Sequence, residues 1–154
     1  MAVHHTGLAI TFTAAEELTG MQYRFVVQAT DTTVQMMDTA YDAPVGILQN
    51  APDTGETAVV RITGTSKLVM NASITVASWV KSECVSTSDN GKGDAADKGN
   101  DLIRGLVCKA AGAENDVGGV VLCLGSASLA ASASASPSVS VSASPSASVS
   151  ASPS

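Results

Sequence analysis

The stretch Tyr41–Leu68, YDAPVGILQNAPDTGETAVVRITGTSKL, decides the fold class of this 154-residue chain. Apolar residues recur at alternate positions on either side of a Gly/Pro turn, namely at Val45, Ile47, Ala58, Val60 and Ile62. A period of two is typical of half-buried β-strands, whereas a helix places its apolar residues three and four apart. The segment Asn50–Gly55 supplies residues that favour a turn. The stretch therefore predicts a β-sheet scaffold, and nothing in it resembles a catalytic site.

Similar patterns predict strands along most of the remaining chain. We expect them at 22–28, 33–37, 45–48, 57–63, 67–70, 78–85, 102–108 and 118–124, and Leu8, Ile10 and Phe12 also alternate with polar or small residues. Thr13 and Glu16 have the spacing of a helix capping box, so one helical turn is expected at Ala14–Leu18. The polar, glycine-rich segment Ser86–Asn100 predicts a long, exposed and mobile loop. The chain is thus predicted to be mainly β, a small β-sandwich or partly open barrel with one short helical turn, followed by an extended C-terminal tail.

The distribution of charge divides the chain and limits its partners. All charged residues precede Gly125, so we predict an N-terminal arm or first strand at 1–13, a β-rich domain at 14–125 and a low-complexity tail at 126–154. The net charge of −6 and the lack of a Lys/Arg cluster argue against nucleic acid and membrane as partners, because both favour a basic face. No apolar run approaches the ~20 residues of a membrane span, and no secretion signal is recognisable, so we expect synthesis in a cytoplasm.

Residues that support catalysis or metal binding are sparse. The two histidines, His4 and His5, are adjacent and lack a carboxylate partner in the pattern of a metal site or a catalytic triad. The segment Asp89–Asp94 resembles a calcium loop only superficially, because its oxygen ligands do not fall on alternate positions, and a turn is expected there. We therefore predict no enzymatic activity, no catalytic residues, no cofactor and no metal.

Two further groups of reactive residues have structural explanations. Glu16 and Glu17 are explained by helix capping and solvent exposure rather than by a catalytic carboxylate pair. Three cysteines, Cys84, Cys108 and Cys123, lack the spacing of a metal site. Their odd number is consistent with buried, reduced thiols in a reducing compartment.

The tail has its own strict pattern. Serine occupies every even position from Ser132 to Ser154, and Ala, Val or Pro occupies every odd one. In an extended strand this places all serines on one side and all apolar groups on the other. One such strand would bury almost nothing, but three copies around an axis would enclose a thin core, with Pro137, Val139, Val141, Pro145, Val149 and Pro153 inside. Composition alone also favours the alternative, an unfolded Ser/Ala/Pro linker.

Several segments together carry a family resemblance. They are Pro44–Asn50 (PVGILQN), Gly55-Glu56, the valine-rich strand ending in Gly64–Lys67, Ser82–Gly93 with its Asn-Gly turn, Ile103–Gly112 and Gly119–Leu122. In pattern and order along the chain, these segments resemble the small capsid cement proteins of tailed bacteriophages. The resemblance extends from about Thr6 to Leu124.

The resemblance implies a structural role in the virion. It implies a decoration protein that binds the outer surface of the capsid, stabilises the expanded head and acts as a trimer at three-fold positions. The partners would be the major capsid protein and other copies of this chain. A capsid- or tail-mounted adhesive fibre module that contacts the host surface is the alternative.

The N-terminal segment is the predicted contact with the capsid. Its backbone would add a strand to the edge of a capsid sheet, with the contact residues Val3, His4, His5, Thr6, Leu8, Ile10 and Phe12. The same residues are equally consistent with the first strand of the domain itself.

Overall fold

The computed structural model describes residues 7–39, 42–97 and 101–124. Every regular element in these ranges is a β-strand, and the strands are β1 (Ala9–Ala14), β2 (Phe25–Gln28), β3 (Thr33–Met36), β4 (Gly46–Leu48), β5 (Thr57–Arg61), β6 (Thr65–Val69), β7 (Trp79–Glu83), β8 (Lys92–Ala95), β9 (Gly105–Lys109) and β10 (Val117–Leu122). The prediction of a mainly β fold is confirmed. The tail predicted at 126–154 lies outside the described residues.

The first five strands close into a small barrel in the order β1-β3-β2-β4-β5. Strand β1 runs antiparallel to β5 from Ala9 to Thr13 and parallel to β3 only at Thr13 and Ala14. The barrel interior holds one apolar cluster, which consists of Ala14, Leu18, Val26, Val34, Met36, Leu48, Ala58 and Val60. The alternation of Ala58 and Val60 along β5 follows from this arrangement, because inward-facing residues occur at every second position of a barrel strand.

The other five strands form a second sheet in the order β6-β10-β9-β7-β8. A second apolar cluster combines residues of the barrel with residues of this sheet: Phe25, Val27, Met37, Ile47, Leu68, Met70, Ile74, Val80, Val107, Ala111 and Val120. This cluster joins the two sheets into one packed unit.

Strands β2 and β4 belong to both clusters. Phe25 and Val27 pack toward the second sheet, whereas Val26 between them points into the barrel. Likewise, Ile47 packs toward the second sheet and Leu48 points into the barrel. A strand buried on both faces reads as a continuous apolar run rather than an alternating one, as these segments do. Burial of the Phe25 side chain alone contributes about 1.5–3 kcal/mol to the free energy of folding.

The helical turn predicted at Ala14–Leu18 does not form. The amide of Ala15 donates to the carbonyl of Val34 at 2.8 Å, so strand-like pairing continues past the end of β1. The carboxylate of Glu16 accepts the amide proton of Met36 at 2.7 Å instead of reaching back to cap a helix. The capping-box spacing was therefore misleading, because closure of the barrel uses the same donors and acceptors.

The segment Ser86–Asn100, predicted as one long mobile loop, contains β8. This strand pairs with β7 in antiparallel register, and the turn before it ends at Gly91, which has a φ of 69°. The guanidinium of Arg24, just before β2, donates to the carbonyl oxygens of Ser88 at 2.9 Å and Asn90 at 3.1 Å. The turn is therefore fastened to the barrel.

Candidate functional site

Strand β1 and the residue before it contain the part of the predicted contact segment that the structure describes. Leu8, just before the strand, is 58% exposed. Ile10 and Phe12 are partly buried, and Phe12 packs against the barrel cluster. Ala9 and Thr11, on the opposite face, are exposed. The other predicted contact residues (Val3, His4, His5 and Thr6) and the predicted tail core lie outside the described residues.

The backbone of β1 has an open edge over its first half. The amide of Ile62 donates to the carbonyl of Leu8 at 3.0 Å and the amide of Ala14 to the carbonyl of Glu56 at 2.8 Å, so even-numbered residues face β5. Because backbone groups alternate in direction along a strand, Ala9 and Thr11 face the other way. There β3 pairs with β1 only from Thr13 onward, and none of the described residues pairs with this edge at Ala9 or Thr11. The barrel thus presents two adjacent backbone hydrogen-bonding positions at its surface.

A shallow depression lies along this edge. Its walls are mostly hydroxyl-bearing and come from β1, β5 and the turn before β3: Thr11, Phe12, Thr13, Asp31, Thr32 and Thr57. Such a surface offers hydrogen-bond donors and acceptors around an extended backbone. It suits a peptide segment that binds mainly through its main chain.

A second depression on the barrel is acidic. It is lined by Glu16, Glu17, Met21, Gln35, Met36, Asp38, Thr87 and Asn90. The carboxylate of Glu16 is occupied by the Met36 amide, which gives this residue a structural role. In the ranges 7–39, 42–97 and 101–124, His, Cys, Asp and Glu form no group able to hold a metal ion.

The segment that resembled a calcium loop consists of a turn followed by the start of β8. Asp89 accepts hydrogen bonds from Ser86 and Ser88 and from the buried ammonium of Lys92, whose Nζ lies 3.0 Å from Oδ1. The hydrogen bond from Ser86, followed by that from Lys92, lowers the pKa of the Asp89 carboxyl. Lys92 Nζ also lies 3.4 Å from a carboxylate oxygen of Glu114. These hydrogen bonds and ion pairs stabilise the turn.

The cysteines differ from the prediction of buried thiols. No disulfide joins cysteines within the described part of the chain, but Cys108 is exposed and the other two are partly buried. Cys108 follows the inward-facing Val107 on β9, so the alternation of side chains along the strand directs it outward. The thiol of Cys84 donates to the carbonyl of Met37 at 3.4 Å, and burial raises the pKa of Cys84.

None of the described segments forms a helix with the length and apolar character needed to cross a bilayer. This agrees with the all-strand architecture of these residues.

Comparison with known proteins identifies a solved structure with a similar fold. No family profile and no curated protein sequence matches the chain. Among solved structures, the chain is similar to the crystal structure of the head fiber gp8.5 N base in bacteriophage phi29, with 16% sequence identity and a TM-score of 0.56. The similarity covers 75% of this chain and 93% of the phi29 chain. At this identity the likeness shows a shared fold.

The open edge of β1 could not have been identified from the sequence. The alternation of Leu8, Ile10 and Phe12 indicated a strand, but which edge stays open depends on where β3 stops pairing with β1. No local sequence pattern encodes that end point.

Proposed function

We propose that this chain is a structural accessory protein of a tailed-phage head that binds the outer surface of the capsid. The observation that carries the proposal is the fold shared with a phage head fiber base over 93% of that chain. Because one fold can carry many functions, the surface of this chain must also suit binding to a capsid. Support comes from the open backbone edge of β1 and from a net charge of −6, which disfavours a position against packaged DNA.

Its work is binding rather than catalysis. A protein that binds the expanded shell but not its dissociated subunits stabilises the shell by mass action. A trimer at a three-fold position would engage three neighbouring capsid subunits at once, and linked contacts gain avidity without any new chemistry. The proposal therefore needs no catalytic residue, cofactor or metal, and the partners are the major capsid protein and two further copies of the chain.

The capsid contact is assigned to the N-terminal segment together with the edge of β1. The exposed side chain of Leu8 and the backbone of Ala9 and Thr11 are positioned to receive an extended capsid segment as an added strand. Residues 1–6, which contain the other predicted contact residues, directly precede this edge in the sequence. In this arrangement Ile10 and Phe12 support the barrel instead of contacting the capsid.

An adhesive fibre module is the second candidate function. It is favoured by the description of the structural neighbour as the base of a head fiber and by the 30 residues that follow Leu124 in this chain. In that case the ten-stranded unit is a mount, and the serine-rich tail contacts the host surface. The two functions differ in whether the tail is needed for capsid binding.

Co-sedimentation with expanded capsids stripped of accessory proteins tests the proposal. Thr11→Pro removes one amide from the open edge, where proline is tolerated in a strand, and should abolish sedimentation with the capsids. Thr11→Ala keeps that amide and removes only one hydroxyl group, so it should retain saturable binding to the capsids. Circular dichroism verifies that both variants are folded. Absence of saturable binding by the wild type would refute the proposed function, and equal binding by Thr11→Pro would refute the contact through β1.

A further inference from the structure

The outer face of the second sheet carries a row of apolar side chains. Val121 on β10 is the register partner of Leu106 on β9, and Leu106 is in turn the partner of Trp79 on β7. Their chain neighbours Val120, Val107 and Val80 point inward to the core, so these three side chains point outward. Val121 is 37% exposed, and the other two are partly exposed. We call Val121, Leu106 and Trp79 the apolar row.

The row is flanked on one side by lysines. Gly119, beside the row on β10, has Lys67 and Lys109 as register partners. A Cβ built on Gly119 would lie 3.0 Å from Cβ of Lys109 and 3.2 Å from Sγ of Cys108, so both side chains lie on the outer face. With no side chain at Gly119, the surface beside Val121 stays flat. This flank carries positive charge.

The other flank is mainly acidic. Lys81 on β7 is the register partner of Asp94 on β8, and its ammonium lies 3.5 Å from the carboxylate of Asp101. Two carboxylates and one ammonium leave an excess of negative charge there. The two sides of the apolar row therefore carry opposite charge.

The position of the row in the chain connects it with the tail. Strand β10 ends at Leu122, so Val121 lies at the end from which residues 125–154 continue. If the tail is extended, its alternation of serine with small apolar residues would let several copies bury one side of each strand together. Association of the tails would hold these ends of β10 near one another. The surface that surrounds such a junction would include the apolar row.

We infer that the apolar row is the surface through which copies of this chain associate, and that its occupant is a neighbouring copy in a ring of three. The inference rests on the trimeric part of the proposed function. A closed ring is built from heterologous contacts, in which one part of each copy's surface meets a different part of the next copy's surface. Here the lysine flank of one copy faces the acidic flank of the next, and the apolar row is buried between them.

The test is the mass of the full-length protein in solution, measured without capsids by analytical ultracentrifugation. Val121→Asp places a charge in the apolar row and should reduce the mass from three chains to one. Val85→Asp is the matched control, because Val85 is 85% exposed and lies outside the row, and it should leave the three-chain mass unchanged. Circular dichroism establishes whether each variant is folded.

Fluorescence provides a readout that needs no variant. Trp79 is the only tryptophan in the chain, so burial of the row gives a blue-shifted emission that moves to the red when dilution dissociates the trimer. A wild type with a one- or two-chain mass, an emission that does not change as the mass falls, or a folded Val121→Asp variant that keeps three chains would overturn the inference.

The outcomes separate this inference from the proposed function. A wild-type trimer with the expected response at Val121 that does not bind capsids would refute the proposed function and support the inference. A monomeric wild type that binds capsids saturably would support the proposed function and refute the inference.

Discussion

At the residue scale, Gly91 fits the β7-β8 turn against the barrel. Its φ of 69° lies in the left-handed region, and an added Cβ would clash with the carbonyl oxygen of Phe25 and lie 2.8 Å from Sδ of Met36. Gly55 has a φ of 84° and no atom near its missing side chain. These two glycines therefore separate the cost of backbone conformation from the cost of crowding.

We predict that Gly91→Ala destabilises the protein more than Gly55→Ala. Both changes place an alanine in the left-handed backbone region, which costs about 1–2 kcal/mol of stability. Gly91→Ala adds an overpacking cost of about 1–3 kcal/mol, because the backbone of Phe25 cannot move aside freely. Urea unfolding of both variants measures the difference. Equal losses would show that the turn does not pack against the barrel as described.

Asp89 makes the stability of the folded protein depend on pH. Its pKa is held below the ordinary value of 3.8 by the hydrogen bonds from Ser86 and Lys92. A carboxyl whose pKa is lower in the folded than in the unfolded protein stabilises the fold above the unfolded pKa, and this contribution is lost as pH falls through the folded pKa.

We therefore expect Asp89→Asn to be less stable than the wild type at neutral pH. The difference should shrink as pH falls below the ordinary value of 3.8, since the wild-type carboxyl then becomes neutral too. Urea unfolding midpoints of the two proteins across this range measure the effect. A difference that stays constant with pH would assign the effect of the substitution to packing rather than to charge.

At the element scale, β1 is paired differently on its two edges. Ile10 and Phe12 direct their backbone toward β5, and Ala9 and Thr11 direct theirs toward the open edge. Amide protons exchange slowly when they are hydrogen-bonded within stable structure. This alternation makes the open edge directly measurable.

We predict faster hydrogen exchange at Ala9 and Thr11 than at Ile10 and Phe12 in the isolated protein. On binding to capsids, Ala9 and Thr11 should become protected, whereas Ile10 and Phe12 should change little. Residue-resolved hydrogen exchange in the free and bound states tests this. Protection of Ala9 and Thr11 in the isolated protein would show that the edge is already occupied.

The sequence alone predicted the strands whose pattern of apolar side chains reflects which of their faces are buried. β5 alternates because one of its faces is buried, and β2 and β4 are recognisable as short apolar runs. β8 was missed because Lys92-Gly93-Asp94-Ala95 has neither pattern, and it is a strand through its pairing with β7. The predicted strand at 22–28 begins only at Phe25, because Tyr23 adopts a φ of 64°.

Surfaces built from several strands were less predictable than the strands themselves. The predicted contact segment includes Leu8, but the open edge beside it is a property of β1, β3 and β5 together. The apolar row combines residues from β7, β9 and β10 that are far apart in the chain. Only the register of the second sheet brings Trp79, Leu106 and Val121 into line.

At the scale of the whole molecule, the tail separates the two candidate functions. We predict that deletion of residues 125–154 leaves capsid binding and the unfolding midpoint of the β-domain near wild-type values, because the described strands end at Leu122. Binding to host cells, if the tail mediates it, would be lost. Co-sedimentation with capsids and with cells measures both. Loss of capsid binding by the shortened chain would contradict the assignment of the contact to the N-terminal segment.

The central claim is that this protein occupies the outside of a phage head, and imaging of reconstituted heads tests it most directly. Expanded capsids stripped of accessory proteins would be incubated with the purified full-length chain and examined by electron cryomicroscopy. The account predicts additional density on the outer surface at three-fold positions, into which three copies of the ten-stranded unit fit with β1 toward the shell. Capsids that remain bare at saturating protein, or density confined to the inner surface, would contradict it.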